Sequence, residues 1–201
     1  MTCIILAGGK SRRLGRDKTL VSIDGESLIQ RVVDRLIPLG SEVIVVASQQ
    51  QFAIPLAVRS RAKVVFDLYP GKGSLGGIYT GLEASCSSHS LVVACDMPFL
   101  NSALLKYMIQ LSPAFDLVVP RVGGEIEPLH AIYSKGCLAP IERLLQKGKL
   151  KISGFFDAVK VRYVEDDEIS RFDPEHLSFF NVNSRADLEK AKVLAKRYQA
   201  E

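Results

Sequence analysis

Short aliphatic runs recur along this chain without alternating with polar residues: Cys3 to Leu6, Val43 to Ala47, Val64 to Phe66 and Leu91 to Ala94. A strand with one wet face alternates apolar and polar residues. Unbroken runs of this length, closed by glycine or polar positions, therefore predict strands covered on both faces. Helix-period segments lie between them. Ser27 to Ile37 carries Leu28, Val32 and Leu36 on one stripe, Leu75 to Cys86 reads as a second helix, and Asn101 is suited to cap a third over Ser102 to Leu111. Strand, helix, strand in that order calls for right-handed crossovers, hence an α/β fold with an open, mostly parallel sheet and helices on both sides.

The second half is less regular. Leu117 to Val119, Leu129 to Tyr133 and Val159 to Val164 are predicted strands, and Leu138 to Lys147 a helix, in a sheet with room for one antiparallel strand. Ser184, followed three residues later by Asp187, makes a capping box that opens a last helix with Leu188, Ala191 and Leu194 on its inner face. At 201 residues the chain is long enough for one sizeable core, so a single domain over 1–201 is expected.

Several function classes are disfavoured. The start MTCIILAGGK carries no basic n-region or long apolar h-region, and no apolar run approaches a membrane span, so the expectation is a soluble, cytoplasmic protein. Cys3, Cys86, Cys95 and Cys137 form no CxxC pair, which points to buried, reduced thiols rather than a zinc site or disulfides. A net charge of +4 is too mild to argue for nucleic acid. Its placement is more informative, because Lys10, Arg12, Arg13, Arg16 and Lys18 face only Asp17 within residues 10–18. That one loop accounts for the net charge of the whole chain.

In an open parallel sheet, ligands sit outside the carboxyl ends of the strands, and three segments leave such ends. LAGGKSRRLGRDK, residues 6–18, combines Gly8 and Gly9 with the five cations; its glycines let backbone amides approach a ligand and its cations suit a polyphosphate, although the spacing is not that of a Walker A loop. DLYPGKGSLGG, residues 67–77, contains GxGxxG at Gly71, Gly73 and Gly76, with Asp96 twenty residues after the last. The dinucleotide fingerprint needs its turn to leave the strand directly, and Asp67 to Pro70 intervene, so this match does not predict a nicotinamide site. CDMP, residues 95–98, brings Asp96 out just beyond an apolar strand, with Asp67 in the equivalent place one strand earlier. A strand-end carboxylate near a phosphate loop suits Mg²⁺, which is usually bound by one or two carboxylates plus phosphates and water. Each aspartate alone would also serve as a cap or a surface acid.

Taken in order, these segments resemble the molybdenum cofactor guanylyltransferase family of MobA-like nucleotidyltransferases, which attach GMP from GTP to molybdopterin. The matches are LAGGKSRRLGRDK at 6–18, DLYPGKGSLGGIYTGL at 67–82, CDMPFL at 95–100, EPLHAIY at 127–133 and NVNSRADL at 181–188, nearly the whole chain. Leu14 stands where the family usually has Met, and Ser74 where Pro is common. The resemblance implies a Rossmann-like three-layer sandwich of the nucleotide-diphospho-sugar transferase type, with a nucleotide-binding half at 1–100 and an acceptor-binding half at 101–201. It further implies that Leu6, Ala7 and Gly8 contact guanine and ribose through backbone groups, and that Gly9, completing a double glycine, favours guanine over cytosine. Arg13 and Lys18 would meet the triphosphate, Asp67 would help read the nucleotide, Asp96 would hold Mg²⁺, and Asn181 and Asn183 would face molybdopterin. On residue type alone the two asparagines read as turn and cap residues. Cofactor-delivery proteins and apo-molybdoenzymes are the implied protein partners; nucleic acid and membranes are not expected.

None of the three loops contains a histidine. His89 precedes a strand, His130 lies within one and His176 follows an acidic turn, so structural or exposed roles are expected. A phosphate monoester acceptor is already largely a dianion at neutral pH and needs no general base. The expected chemistry is in-line attack of that phosphate on the α-phosphorus of GTP, helped by Mg²⁺, Lys18 and arginine. A cytidylyltransferase for the same pterin, a sugar-phosphate nucleotidyltransferase and a non-catalytic nucleotide-binding accessory protein are the competing readings.

Overall fold

A computed structural model describes residues 1–7, 21–48 and 54–199. In chain order the elements are β1 (Thr2–Leu6), β2 (Ser22–Ile23), β3 (Glu26–Ser27), α1 (Leu28–Leu36), β4 (Glu42–Ala47), α2 (Leu56–Arg59), β5 (Lys63–Phe66), α3 (Gly73–Ala84) and β6 (His89–Ala94). They continue with α4 (Ser102–Leu111), β7 (Leu117–Val122), β8 (Glu125–Ile126), β9 (His130–Ser134), α5 (Leu138–Gln146), β10 (Val161–Val164), α6 (Asp166–Ile169) and α7 (Arg185–Gln199).

One sheet runs through both halves of the chain in the order β10-β7-β9-β6-β1-β4-β5, with β8 folded back on β7. β1 pairs in parallel with β4 and β6, β4 with β5, and β7 with β10; β9 is antiparallel to both β6 and β7. This is the mostly parallel sheet read from the sequence, with the inverted β9 inserted between β6 and β7 and, beyond the one antiparallel strand expected, the short β8 running antiparallel to β7.

Alternate strand residues feed two separate cores, which is why the aliphatic runs have no polar interruptions. Ile5, Val45 and Val93 pack with Ile29, Val32 and Leu36 of α1 and Leu104, Leu105 and Met108 of α4. Ile4, Ile44, Val92 and Tyr133 pack on the other face with Leu75 and Ile78 of α3 and Ile141 and Leu145 of α5. A smaller cluster joins Ile23, Phe99, Val182, Ala191 and Ala195, seating α7 against the β2–β3 ribbon. Helix α3 lies unusually close to β1, since a Cβ built on Gly81 would stand 2.4 Å from Ile4 Cγ2.

Local signals mark the helix starts. The Asn101 side chain accepts from the backbone N–H groups of Ala103 and Leu104, and Ser184 Oγ accepts from Asp187 N while Asp187 Oδ2 accepts from Ser184 N. Three details differ from expectation. Helix α3 runs from Gly73 to Ala84, ending before Cys86 because Ser85 turns extended; Cys86 is therefore exposed, whereas Cys3, Cys95 and Cys137 are buried, and none of the four forms a disulfide. Strand β10 starts only at Val161, because Ile152–Ala158 coil into 3-10 turns that bury Phe155 and Phe156. Among the described residues no helix is long and apolar enough to cross a membrane.

Candidate active site

Six segments are stitched together at the carboxyl edge of the parallel strands. Ala7 N–H donates to Val46 O (2.9 Å), Cys95 N–H to Leu6 O (3.2 Å), Asp67 N–H to Ala47 O (2.9 Å), Ala94 N–H to Leu129 O (3.1 Å) and Val182 N–H to Asp96 O (2.9 Å). The ends of β1, β4, β5 and β6, the start of β9 and the segment before α7 thus share one edge.

Asp67 follows β5 directly. Its Oδ1 accepts from Tyr69 N–H (2.9 Å) and lies 3.1 Å from Thr80 Oγ1, which itself accepts from Leu68 N–H (3.0 Å). One carboxylate oxygen is thereby tied to α3. A shallow cleft, open to solvent, is lined by Leu6, Val46, Ala47, Asp67, Gly73, Ser74 and Gly77. The literal GxGxxG is divided between two jobs. Gly71 and Gly73 have φ of +81° and +64°, a left-handed turn that side chains disfavour, while a Cβ on Gly76 would meet Tyr69 O at 2.9 Å. Six residues, 67–72, separate β5 from α3, so the helix amides do not follow the strand as a dinucleotide site requires.

Asp96 stands two residues beyond β6 and is only 8% exposed. A hard divalent ion takes oxygen ligands and completes its shell from phosphates and water, so a single strand-end carboxylate fits Mg²⁺. No group of three metal-ligating side chains exists among the described residues.

The remaining predicted residues divide into those that meet at this edge and those that lie elsewhere. Leu6 and Asp67 share the cleft; Ala7 and Asp96 lie at the neighbouring strand ends without lining it. The Ala7 amide is committed to Val46, so any backbone contact it makes to a nucleotide falls to its carbonyl; the Leu6 carbonyl, already accepting from Cys95, keeps a second lone pair. Gly8, Gly9, Arg13 and Lys18 fall outside the described residues. Asn181 and Asn183 flank the buried Val182; Asn181 Nδ2 donates to Phe179 O (3.1 Å) and Asn183 N–H to Asp187 Oδ2 (3.1 Å). Asn181 keeps a local turn contact through its side chain, Asn183 is held through its backbone, and both adjoin Val182, whose amide meets the Asp96 carbonyl.

Thr80, Val182 and Glu127 belong to the same edge and escaped the sequence reading. Thr80 was findable as a hydroxyl on the buried face of a helix. Val182 acts through its backbone and left no residue-type signal. Glu127 is half-buried between β8 and β9, and burial followed by the nearby Glu125 raises its carboxyl above the usual range. The histidines stand apart from the cleft. His130 is fully buried against the Phe179 ring, His89 Nε2 contacts Phe115 O, and His176 Nε2 contacts Ser170 Oγ.

A mostly parallel mixed sheet with a cleft and a strand-end aspartate at its carboxyl edge, in a chain whose first strand leads into a glycine-rich, cationic sequence, defines a nucleotidyltransferase. The 2-C-methyl-D-erythritol 4-phosphate cytidylyltransferase of Thermus thermophilus shares this fold, with a TM-score of 0.73 at 18% identity, covering 97% of this chain and 98% of that one. Residues 3–160 match the model of the MobA-like NTP transferase domain, and the chain belongs to that family. It is 41% identical over 194 residues to the probable molybdenum cofactor guanylyltransferase of Pelotomaculum thermopropionicum, covering 96% of this chain and 93% of the relative. The crystal structure of molybdopterin-guanine dinucleotide biosynthesis protein A from Archaeoglobus fulgidus superposes with a TM-score of 0.85 at 30% identity, covering 98% of this chain and all of that one.

Proposed function

We infer that this chain is a molybdenum cofactor guanylyltransferase, moving GMP from GTP to the terminal phosphate of molybdopterin and releasing diphosphate. The observation that carries this reading is the bond from Val182 N–H to Asp96 O, which joins the acceptor-side asparagines to the metal-side aspartate in a chain that matches its guanylyltransferase relative almost end to end.

GTP lies along the cleft of the 1–100 half, its base and ribose against Leu6, Ala7, Gly8 and Gly9 and its nucleotide read further by Asp67. Asp96 would hold Mg²⁺, which supplies charge neutralisation for the phosphates when bound. Arg13 and Lys18 would meet the triphosphate and lower the cost of bringing a second anion to it. Asn181 and Asn183, in the 101–201 half, orient molybdopterin. Its phosphate dianion attacks the α-phosphorus in line, a new P–O bond forms, and the α–β bond breaks as diphosphate departs. The reaction needs no proton acceptor, in keeping with histidines that lie away from the cleft. A cytoplasmic location, with cofactor-delivery proteins and apo-molybdoenzymes as partners, completes the proposal.

The test is diphosphate release with GTP, CTP, ATP and UTP, each against molybdopterin and against a sugar phosphate. Release with GTP and molybdopterin alone is the expected result. Preference for CTP, turnover of the sugar phosphate, or nucleotide binding without release would each replace this reading with one of its competitors.

A further inference from the structure

The EPLHAIY segment is not used by the mechanism above, yet its first residue stands at the site edge. Glu127 N–H donates to Pro120 O (2.9 Å), Glu127 O accepts from His130 N–H (3.0 Å), and two residues later Leu129 O accepts from Ala94 N–H (3.1 Å). The backbone is thus fixed between β7 and β6. In the sheet order this lies on the β9–β7 side of Asp96, whereas the cleft at Asp67 lies on the opposite side, toward β4 and β5. A molecule extending from Asp96 away from the nucleotide runs toward Glu127.

We propose that Glu127 is a specificity-determining residue whose carboxylate accepts from the ring N–H and exocyclic amine of the acceptor's 2-amino-4-oxopyrimidine edge. The proposal rests on the guanylyltransferase reading. Glu127 is half-buried, and no described residue donates a hydrogen bond to its carboxylate. A partly desolvated carboxylate without a donor is costly, and two parallel N–H groups would meet that need. A carboxylate repels phosphate, so it suits the uncharged ring end of a pterin phosphate rather than its reacting end. Guanine presents the same pair of donors, and the position of Glu127 across the sheet from the nucleotide cleft favours the pterin.

Fluorescence titrations with pterin, and with lumazine, in which oxygen replaces the exocyclic amine, test the contact independently of turnover. The intact protein should bind pterin about tenfold more tightly than lumazine, the usual scale of a charge-assisted hydrogen bond. Glu127→Gln, which offers one acceptor and one mismatched donor, should lose that preference and raise the acceptor KM about tenfold, with little change in kcat, GTP affinity by calorimetry or thermal midpoint. Equal binding of the two rings, no binding of either, or a preference that survives in Glu127→Gln overturns the proposal. Weakened GTP affinity with an unchanged acceptor KM also overturns it, assigning Glu127 to guanine. Failure of the functional reading would register separately, as absent diphosphate release by the unaltered protein.

Discussion

Val182 gives its backbone N–H to the Asp96 carbonyl oxygen at 2.9 Å, and its side chain is fully buried. The same small core holds Phe99, three residues beyond Asp96, together with Ala191 and Ala195 of α7. The segment that resembles an acceptor-binding motif is therefore fixed to the strand-end aspartate by a hydrogen bond and by packing, and neither uses the carboxylate.

Asp96→Asn should separate catalysis from folding. The carbonyl bond to Val182 survives the substitution, so the thermal midpoint should hold. Loss of the charge proposed to hold Mg²⁺ should raise the barrier by roughly 2–4 kcal/mol, the scale of other single electrostatic contributions to catalysis. Steady-state diphosphate release measures this, and an unchanged rate would remove Asp96 from the metal site.

Thr80→Val should act on the nucleotide through Asp67. The substitution keeps the shape but deletes the hydroxyl that accepts from Leu68 N–H and lies 3.1 Å from Asp67 Oδ1. Leaving the Leu68 amide without this partner should cost about 1–3 kcal/mol of stability. Calorimetry should show weaker GTP binding, with a smaller effect on acceptor KM. Unaltered GTP affinity would mean that Asp67 needs no anchoring by α3.

The parts of this architecture legible from sequence are those fixed by neighbours along the chain. Asn101 and Ser184 mark their helices within a turn, because a cap is a contact between residues two or three apart. The strands around β1 were legible because burial on both faces excludes polar residues from them. The contacts that assemble the site are long-range. Nothing in NVN specifies a backbone bond to Asp96, and nothing in EPLHAIY reveals that inserting β9 between β6 and β7 brings Glu127 to the site edge. The glycines of 71–81 show why pattern alone is insufficient, since Gly71 and Gly73 serve a turn and Gly76 and Gly81 serve close packing.

Gly81→Ala tests that packing directly. The added methyl would stand 2.4 Å from Cγ2 of Ile4, a β-branched side chain fixed in the central strand. Alanine favours a helix interior by about 1 kcal/mol over glycine, but overpacking of a core typically costs 1–3 kcal/mol, so a net loss of about 1 kcal/mol is expected. Gly77→Ala meets only the end of the Leu6 side chain, at 3.3 Å, and should be milder. Urea unfolding of the two variants gives the order, and a more stable Gly81→Ala would show that α3 shifts freely on β1.

His130 should set part of the acid limit of stability. Burial lowers its pKa from 6.5 to about 3, and neither ring nitrogen has a hydrogen-bond partner among the described residues. Between those values the unfolded chain holds a proton that the native protein does not. Stability therefore falls as the pH falls, by about 1.4 kcal/mol per unit from this group alone. His130→Phe keeps a ring against Phe179 and removes the titration. Subtracting the unfolding free energies of the two proteins at pH 8 and again at pH 5 cancels the carboxylates that both share. The variant should gain about 2 kcal/mol relative to the original between the two measurements. Parallel pH curves would mean that the buried imidazole takes up its proton in the folded state.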